Sequence, residues 1–243
     1  MELEFIKNKV YYKIFDRTYT GSTGVYSKHK HKDAAKLAEI QQNIDNIKNK
    51  YDAQGMVLLK QVHGTNVVLA GSECSDYPEA DGSVTCSKGV ALSIMTADCV
   101  PVLFASADGA VIGAAHCGWR SAKAGIVARI RENMEAQGGK DIKAIIAPSI
   151  QQASYEVDTD YHQAFIKDDE TLKALFIPST NKGRYMFDLA GYVKRMLEQE
   201  NIELKLHIDE DTYSMQEKYP SYRRSHHKGE QYSQSILSTI MIK

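Results

Sequence analysis

Three apolar runs crowd into residues 90–116, and they restrict the possible folds more than any other feature of the chain. Residues 90–96, 100–106 and 110–116 each have the length and apolar content of a buried strand. Ala107-Asp108-Gly109 lies between the last two and has the chemistry of a hairpin turn. A tight hairpin requires antiparallel neighbours, so an all-parallel doubly wound sheet is excluded. No G-x-G-x-x-G opens a helix after a strand, and neither a P-loop nor an H-E-x-x-H motif occurs.

Other segments alternate between the two periodicities. Residues 33–51 carry Ile40, Ile44, Ile47 and Tyr51 at helical spacing, with Asp33 placed to cap the start. Residues 56–62 and 66–70 read as a strand pair joined through His63-Gly64-Thr65. Residues 121–137 read as one helix with Ser121 as N-cap and Gly138 beyond its end. A buried strand is expected at 142–147, a helix at 188–201 capped by Asp188, and late strands at 204–208 and 236–242. The fold class is α/β in the α+β sense: a mixed-sheet sandwich with flanking helices, formed by a single domain over residues 1–243.

Composition narrows the partners. The 30 Lys and Arg balance 31 Asp and Glu, so no broad basic surface for nucleic acid is expected. No apolar run reaches the roughly 18 residues of a membrane span. The N-terminus lacks the apolar run and cleavage site of a signal peptide, which points to a cytoplasmic protein. Four irregularly spaced cysteines fit thiols or metal ligands better than a disulfide framework. Lys28-His29-Lys30-His31-Lys32 reads as a solvated turn, and Cys74 and Cys86 are given no role.

Three residues stand where strands meet turns: His63, Cys99 and His116. Two imidazoles and a thiolate suit zinc, and three protein ligands leave one position open for catalysis. Their spacings, 36 and 17 positions, match no compact zinc finger, so core or surface roles stay open on spacing alone. Cys117 should point opposite to His116 and read as a core thiol. Asp98 should face away from Cys99, to orient a neighbour or cap a turn. Arg120, just before an expected helix start, is a natural anion contact, with Arg17 and Arg223 as further candidates.

Six ordered motifs carry a family resemblance: Lys60-Gln61-Val62-His63-Gly64, Glu79-Ala80-Asp81-Gly82-Ser83-Val84-Thr85, Thr96-Ala97-Asp98-Cys99-Val100-Pro101-Val102-Leu103, Ala114-Ala115-His116-Cys117-Gly118-Trp119-Arg120, Ala147-Pro148-Ser149-Ile150 with Tyr155-Glu156-Val157, and Ser221-Tyr222-Arg223-Arg224. Together they resemble the laccase-domain family, whose members are called multicopper polyphenol oxidase, purine nucleoside phosphorylase or peptidoglycan editing factor. The resemblance implies a fold related to the catalytic domain of cytotoxic necrotizing factor toxins. It implies a metal site at His63, Cys99 and His116, holding Zn2+ with copper as the alternative. It also implies phosphorolysis of adenosine, inosine and 5′-methylthioadenosine, with adenosine deamination alongside.

Catalytic roles are expected for Cys99, His63, His116 and Asp98, and phosphate or substrate contacts for Arg17, Arg120 and Arg223. The partners implied are purine nucleosides and phosphate, for a monomer or small homo-oligomer. A multicopper oxidase needs several centres, whereas one His2Cys site with an open position suits Lewis-acid chemistry. Competing readings are a Cys99 amidase acting on cell-wall precursors, a phenol oxidase and a binding module with reduced catalysis. The chain departs from the family pattern at the loop after Arg17, at Asp211 and at Ser233-Gln234. Those departures bear on substrate contacts rather than on the metal ligands.

Overall fold

The structure is a computed structural model and describes residues 3–28, 31–71 and 77–243. His29, Lys30 and Cys74 lie outside the described residues. Two sheets stack face to face. The first has the order β1 (Leu3–Ile6), β2 (Val10–Phe15), β14 (Ile236–Ile242), β6 (Val90–Thr96) and β3 (Gly55–Val57). The second runs β13 (Glu203–His207), β9 (Lys143–Ile146), β7 (Val100–Ala105), β8 (Ile112–Cys117), β5 (Gly82–Thr85) and β4 (Val67–Leu69). Both mix parallel and antiparallel pairs.

Strand alternation explains the layering. Leu103 and Ala105 of β7 join Leu92, Ile94 and Ile240 of the first sheet in the core between the sheets. Val102 and Phe104 point the other way, to Ile126, Ile130 and Met134 of α3 (Ile126–Ala136) and to Val193 and Leu197 of α5 (Leu189–Gln199). The outer face of the first sheet is closed by α1 (Ala34–Lys50), whose Ile40, Ile44 and Ile47 meet Phe15, Met95 and Leu237. Sheets covered on both faces favour near-continuous apolar strands, and β6, β7, β8 and β14 are buried throughout, with Ser93, Thr96, Ser238 and Thr239 as small polar exceptions in β6 and β14. The expected cap of α1 forms, with Asp33 accepting from the N–H of Lys36, and Asp188 caps α5 through Gly191.

A smaller sheet of β10 (Glu156–Asp158), β12 (Arg184–Phe187) and β11 (Phe176–Pro178) packs with α4 (Thr159–Ile166) on an aromatic cluster of Tyr161, Phe165, Phe176 and Phe187. Among the described residues, no helix is long and apolar enough to cross a membrane.

Two expectations are corrected. Residues 56–62 and 66–70 do not pair: β3 lies parallel to β6 in one sheet, and β4 lies parallel to β5 in the other. The chain between them crosses from sheet to sheet, and the buried Leu58 and Leu59 fill different cores on the way. Residues 121–137 are not one helix. They form α2 (Trp119–Lys123) and α3, separated at Gly125, whose φ of 92° is open to glycine and breaks the helical path. Gly118 occupies the N-cap position of α2, and Ser121 is buried within that helix.

Candidate metal centre and substrate cavity

The chain passes between the two sheets at residues 58–66 and again from β6 to β7, and each crossing delivers one ligand. His63 sits in the first crossing with φ of 61°, and Cys99 follows Asp98, with φ of 97°, in the second. His116 stands near the end of β8, on the face opposite Ala115 and Cys117, which belong to the helix-side core. The ligand atoms of His63, Cys99 and His116 all lie within 4.8 Å of one another. His63 Nε2 is 3.9 Å from Cys99 Sγ, and the two imidazole rings meet edge to face at 4.7 Å. His63 is exposed, Cys99 half-buried and His116 3% exposed, so the trio has one open side.

Asp81, just before β5, organises both histidines and was given no role from sequence. Its carboxylate lies 2.7 Å from His116 Nδ1 and accepts the backbone N–H groups of Val62, His63 and Gly64 at 2.7–3.1 Å. Its carbonyl accepts the N–H of His116. The sequence signals were its place in the Glu79–Thr85 motif and its position between small residues, Ala80-Asp81-Gly82, ahead of an apolar strand, and neither assigns it a role. Burial pushes the Asp81 carboxyl up, but His116 and the converging N–H groups outweigh it and hold it below the usual carboxylate range. Burial also pushes the Cys99 thiol up, and the neighbouring imidazoles reverse that and bring it down. For His116, the desolvation that lowers an imidazole is overcome by Cys99 and Asp81, which raise it. Cys117 is fully buried and pushed up by desolvation, as expected of a core thiol.

These residues fit a metal. A carboxylate on His116 Nδ1 leaves Nε2 to face the ligand cluster, the arrangement that orients metal-bound histidines. The N, S, N donor set could hold zinc or copper. Space is tight on one side. A Cβ on Gly118 would sit 2.7 Å from His63 Cδ2 and 3.2 Å from Cys99 Sγ. Gly118→Ala is therefore expected to weaken zinc affinity by at least about tenfold, judged by competition with a chromophoric chelator.

The trio opens on a cavity of about 480 Å3. Arg120 and Arg223 line it, as do Asp98, Tyr155, Tyr222 and Tyr232. The Arg120 guanidinium stacks 4.5 Å over Trp119 and has no hydrogen-bond or ion-pair partner among the described residues. Arg223, in α6 (Tyr222–Lys228), donates through Nη1 to the Glu156 carbonyl and lies 5.1 Å over the Tyr155 ring. Arg17 is not brought to the cavity: its guanidinium binds Gln234 Oε1 and the Gln216 carbonyl. Ser121, the expected helix cap beside Arg120, instead donates to the His116 carbonyl at 2.8 Å. Asp98 is 8% exposed and its carboxylate is fully engaged by Thr212, Ser221 and Arg223. Asp211, at a departure from the family pattern, accepts from Gln151, Ser154 and Tyr213.

A mixed-sheet sandwich with a His2Cys cluster at its sheet crossings, opening on a cavity with two arginines, defines the class. The family model described as multi-copper polyphenol oxidoreductase laccase matches residues 13–238, and the chain belongs to this family. A Rickettsia conorii protein named purine nucleoside phosphorylase RC0672 is 43% identical over 98% of both chains. Purine nucleoside phosphorylase YfiH of Escherichia coli is 34% identical over 69% of this chain and 68% of its own. The crystal structure of Neisseria meningitidis protein NMB0706 superposes with a TM-score of 0.84 at 25% identity, covering 100% of this chain and 98% of that one.

Proposed function

We propose that the chain is a zinc-dependent purine nucleoside phosphorylase acting on adenosine, inosine and 5′-methylthioadenosine. The observation that carries this reading is the pair Arg120 and Arg223, lining the same cavity as the His63, Cys99 and His116 trio. The relatives' names point the same way. Bound zinc would supply Lewis-acid stabilisation of anionic oxygen. Among the described residues this is the one cluster of three such donors, which favours a single metal over several copper centres.

Phosphorolysis joins a phosphate oxygen to the sugar C1′ while the C1′–N9 bond breaks. The purine leaves with the electron pair and takes up a proton. Arg120, stacked and unpaired, meets the phosphate dianion, and Arg223 adds a second guanidinium already fixed by Glu156. Tyr222 and Tyr232, edge to face at 5.5 Å, offer the purine an aromatic wall. The three substrates differ at C6 or at the 5′ carbon and share the bond at C1′, so one site serves all of them.

Deamination at C6 needs a proton-shuttling group as well as an activated water. The Asp98 carboxylate is occupied, and that of Glu156 accepts from Ser179 and Asn181. Deamination is accordingly proposed as a side activity. The test is product analysis by mass spectrometry of adenosine incubated with and without phosphate. Adenine and ribose 1-phosphate formed only with phosphate are expected, whereas inosine as the main product would move the reading to deamination.

One observation favours a second reading. Asp81, His116 and Cys99 are ordered as base-orienter, base and thiol, an arrangement that also serves thiol hydrolases. Turnover of an amide substrate by metal-free protein, abolished by thiol alkylation, would establish it.

A further inference from the structure

Asp98 adjoins a metal ligand, lines the cavity and carries a carboxyl group, which are the marks of a proton shuttle. Its surroundings give it another task. Oδ1 accepts from Thr212 Oγ1 at 2.8 Å, and Oδ2 accepts from Ser221 Oγ at 3.0 Å and from the Arg223 N–H at 2.7 Å. All three donors come from residues 212–223, more than 110 positions along the chain. Thr212 and Ser221 are essentially inaccessible, so no water replaces these bonds. The Asp98 carbonyl also accepts the N–H of Ile150, which anchors the turn beneath the cavity. A φ of 97° is a strained value for a residue with a side chain, and three donors on its carboxylate offset that cost.

Arg223 is consequently held at both ends. Its backbone N–H is tied to the residue preceding Cys99, and its guanidinium is tied to the Glu156 carbonyl. Ser221, which shares Oδ2, also caps α6 through the N–H of Arg224. Arg224 closes the same segment by donating to the carbonyls of Thr212, Tyr213 and Tyr219.

We propose that Asp98 is a positioning residue that fixes Arg223 at a set distance from the Cys99 end of the metal centre, and so sets the affinity for phosphate. The proposal rests on the phosphorolytic reading above. Asp98 acts through Arg223 and does not exchange protons with substrate.

The experiment compares zinc-loaded wild type, Asp98→Asn, Arg223→Ala and the double variant. Asparagine keeps the size, removes the charge and leaves a single acceptor oxygen where the carboxylate offers two to Thr212, Ser221 and Arg223. The KM for inorganic phosphate is expected to rise about tenfold in Asp98→Asn, on the scale of one lost charge-assisted hydrogen bond. The KM for adenosine, the bound zinc and the pH profile of kcat should stay as in wild type. In the Arg223→Ala background the Asp98→Asn change should add nothing further. Ser221→Ala, a milder change, should raise the phosphate KM in the same direction. A collapse of kcat with a displaced pH profile and unchanged phosphate KM would overturn the proposal, and so would fully additive effects in the double variant. If wild type forms no phosphate-dependent product, the functional reading itself fails. Calorimetric titration of inorganic phosphate into wild type and Asp98→Asn then decides the positioning role: weaker binding in the variant supports it, and equal binding refutes it.

Discussion

Cys99→Ala is expected to lower phosphate-dependent cleavage of adenosine by a factor on the order of 10³ while leaving the fold in place. Cys99 belongs to none of the apolar clusters and stands half-exposed in the turn between β6 and β7, so its loss opens no core cavity. It does remove the one sulfur donor of the trio. The same variant gives a readout independent of turnover. A ligand that binds only the folded state stabilises it by about 2.7 kcal/mol at a concentration one hundred times its Kd. For a chain of this size that is a rise of roughly 5–10 °C in Tm. Zinc should produce such a rise in wild type and almost none in Cys99→Ala. Equal rises in both would remove Cys99 from the ligand set.

Asp81→Ala is expected to damage stability more than any ligand substitution. The carboxylate is fully buried and satisfies three backbone N–H groups as well as His116. Removing one partner of a buried charged pair costs on the order of 3–5 kcal/mol. The turn that holds His63 at positive φ would lose its anchor at the same time. Denaturant unfolding in the presence of a chelator measures the structural cost without any contribution from metal. Asp81→Asn keeps an acceptor for the turn and should cost less. Its zinc affinity should still fall by about 10- to 100-fold, because an amide orients His116 less strongly than a carboxylate. Asp81→Asn with wild-type zinc affinity would show that the carboxylate serves the fold alone.

What the sequence disclosed follows from how local each feature is. The runs of β6, β7 and β8, the Asp108-Gly109 turn and the capped helices α1 and α5 rest on periodicity and short-range chemistry, and all are present. The side of Cys117 followed from strand alternation alone. The pairing of β3 and β4 could not be read this way, because each is three residues long and joins its sheet through parallel contacts made far along the chain. The break at Gly125 was hidden because a lone glycine inside a helical pattern is tolerated, and the apolar stripe of Ile126, Val127, Ile130 and Met134 begins only after it. Asp81 was invisible as a site residue because its four donors come from two segments 17 to 35 positions away. Arg17 looked like an anion contact by residue type, yet Gln234, at a position where the chain departs from its family, takes its guanidinium.

The most direct test of the central claim removes the metal and restores it. Protein stripped by chelator would be assayed for adenine release from adenosine in the presence of phosphate, then reloaded with zinc or with copper. The account predicts a loss on stripping, recovery with zinc, and no recovery in His63→Ala or Cys99→Ala. Undiminished phosphate-dependent release by fully stripped protein would contradict it.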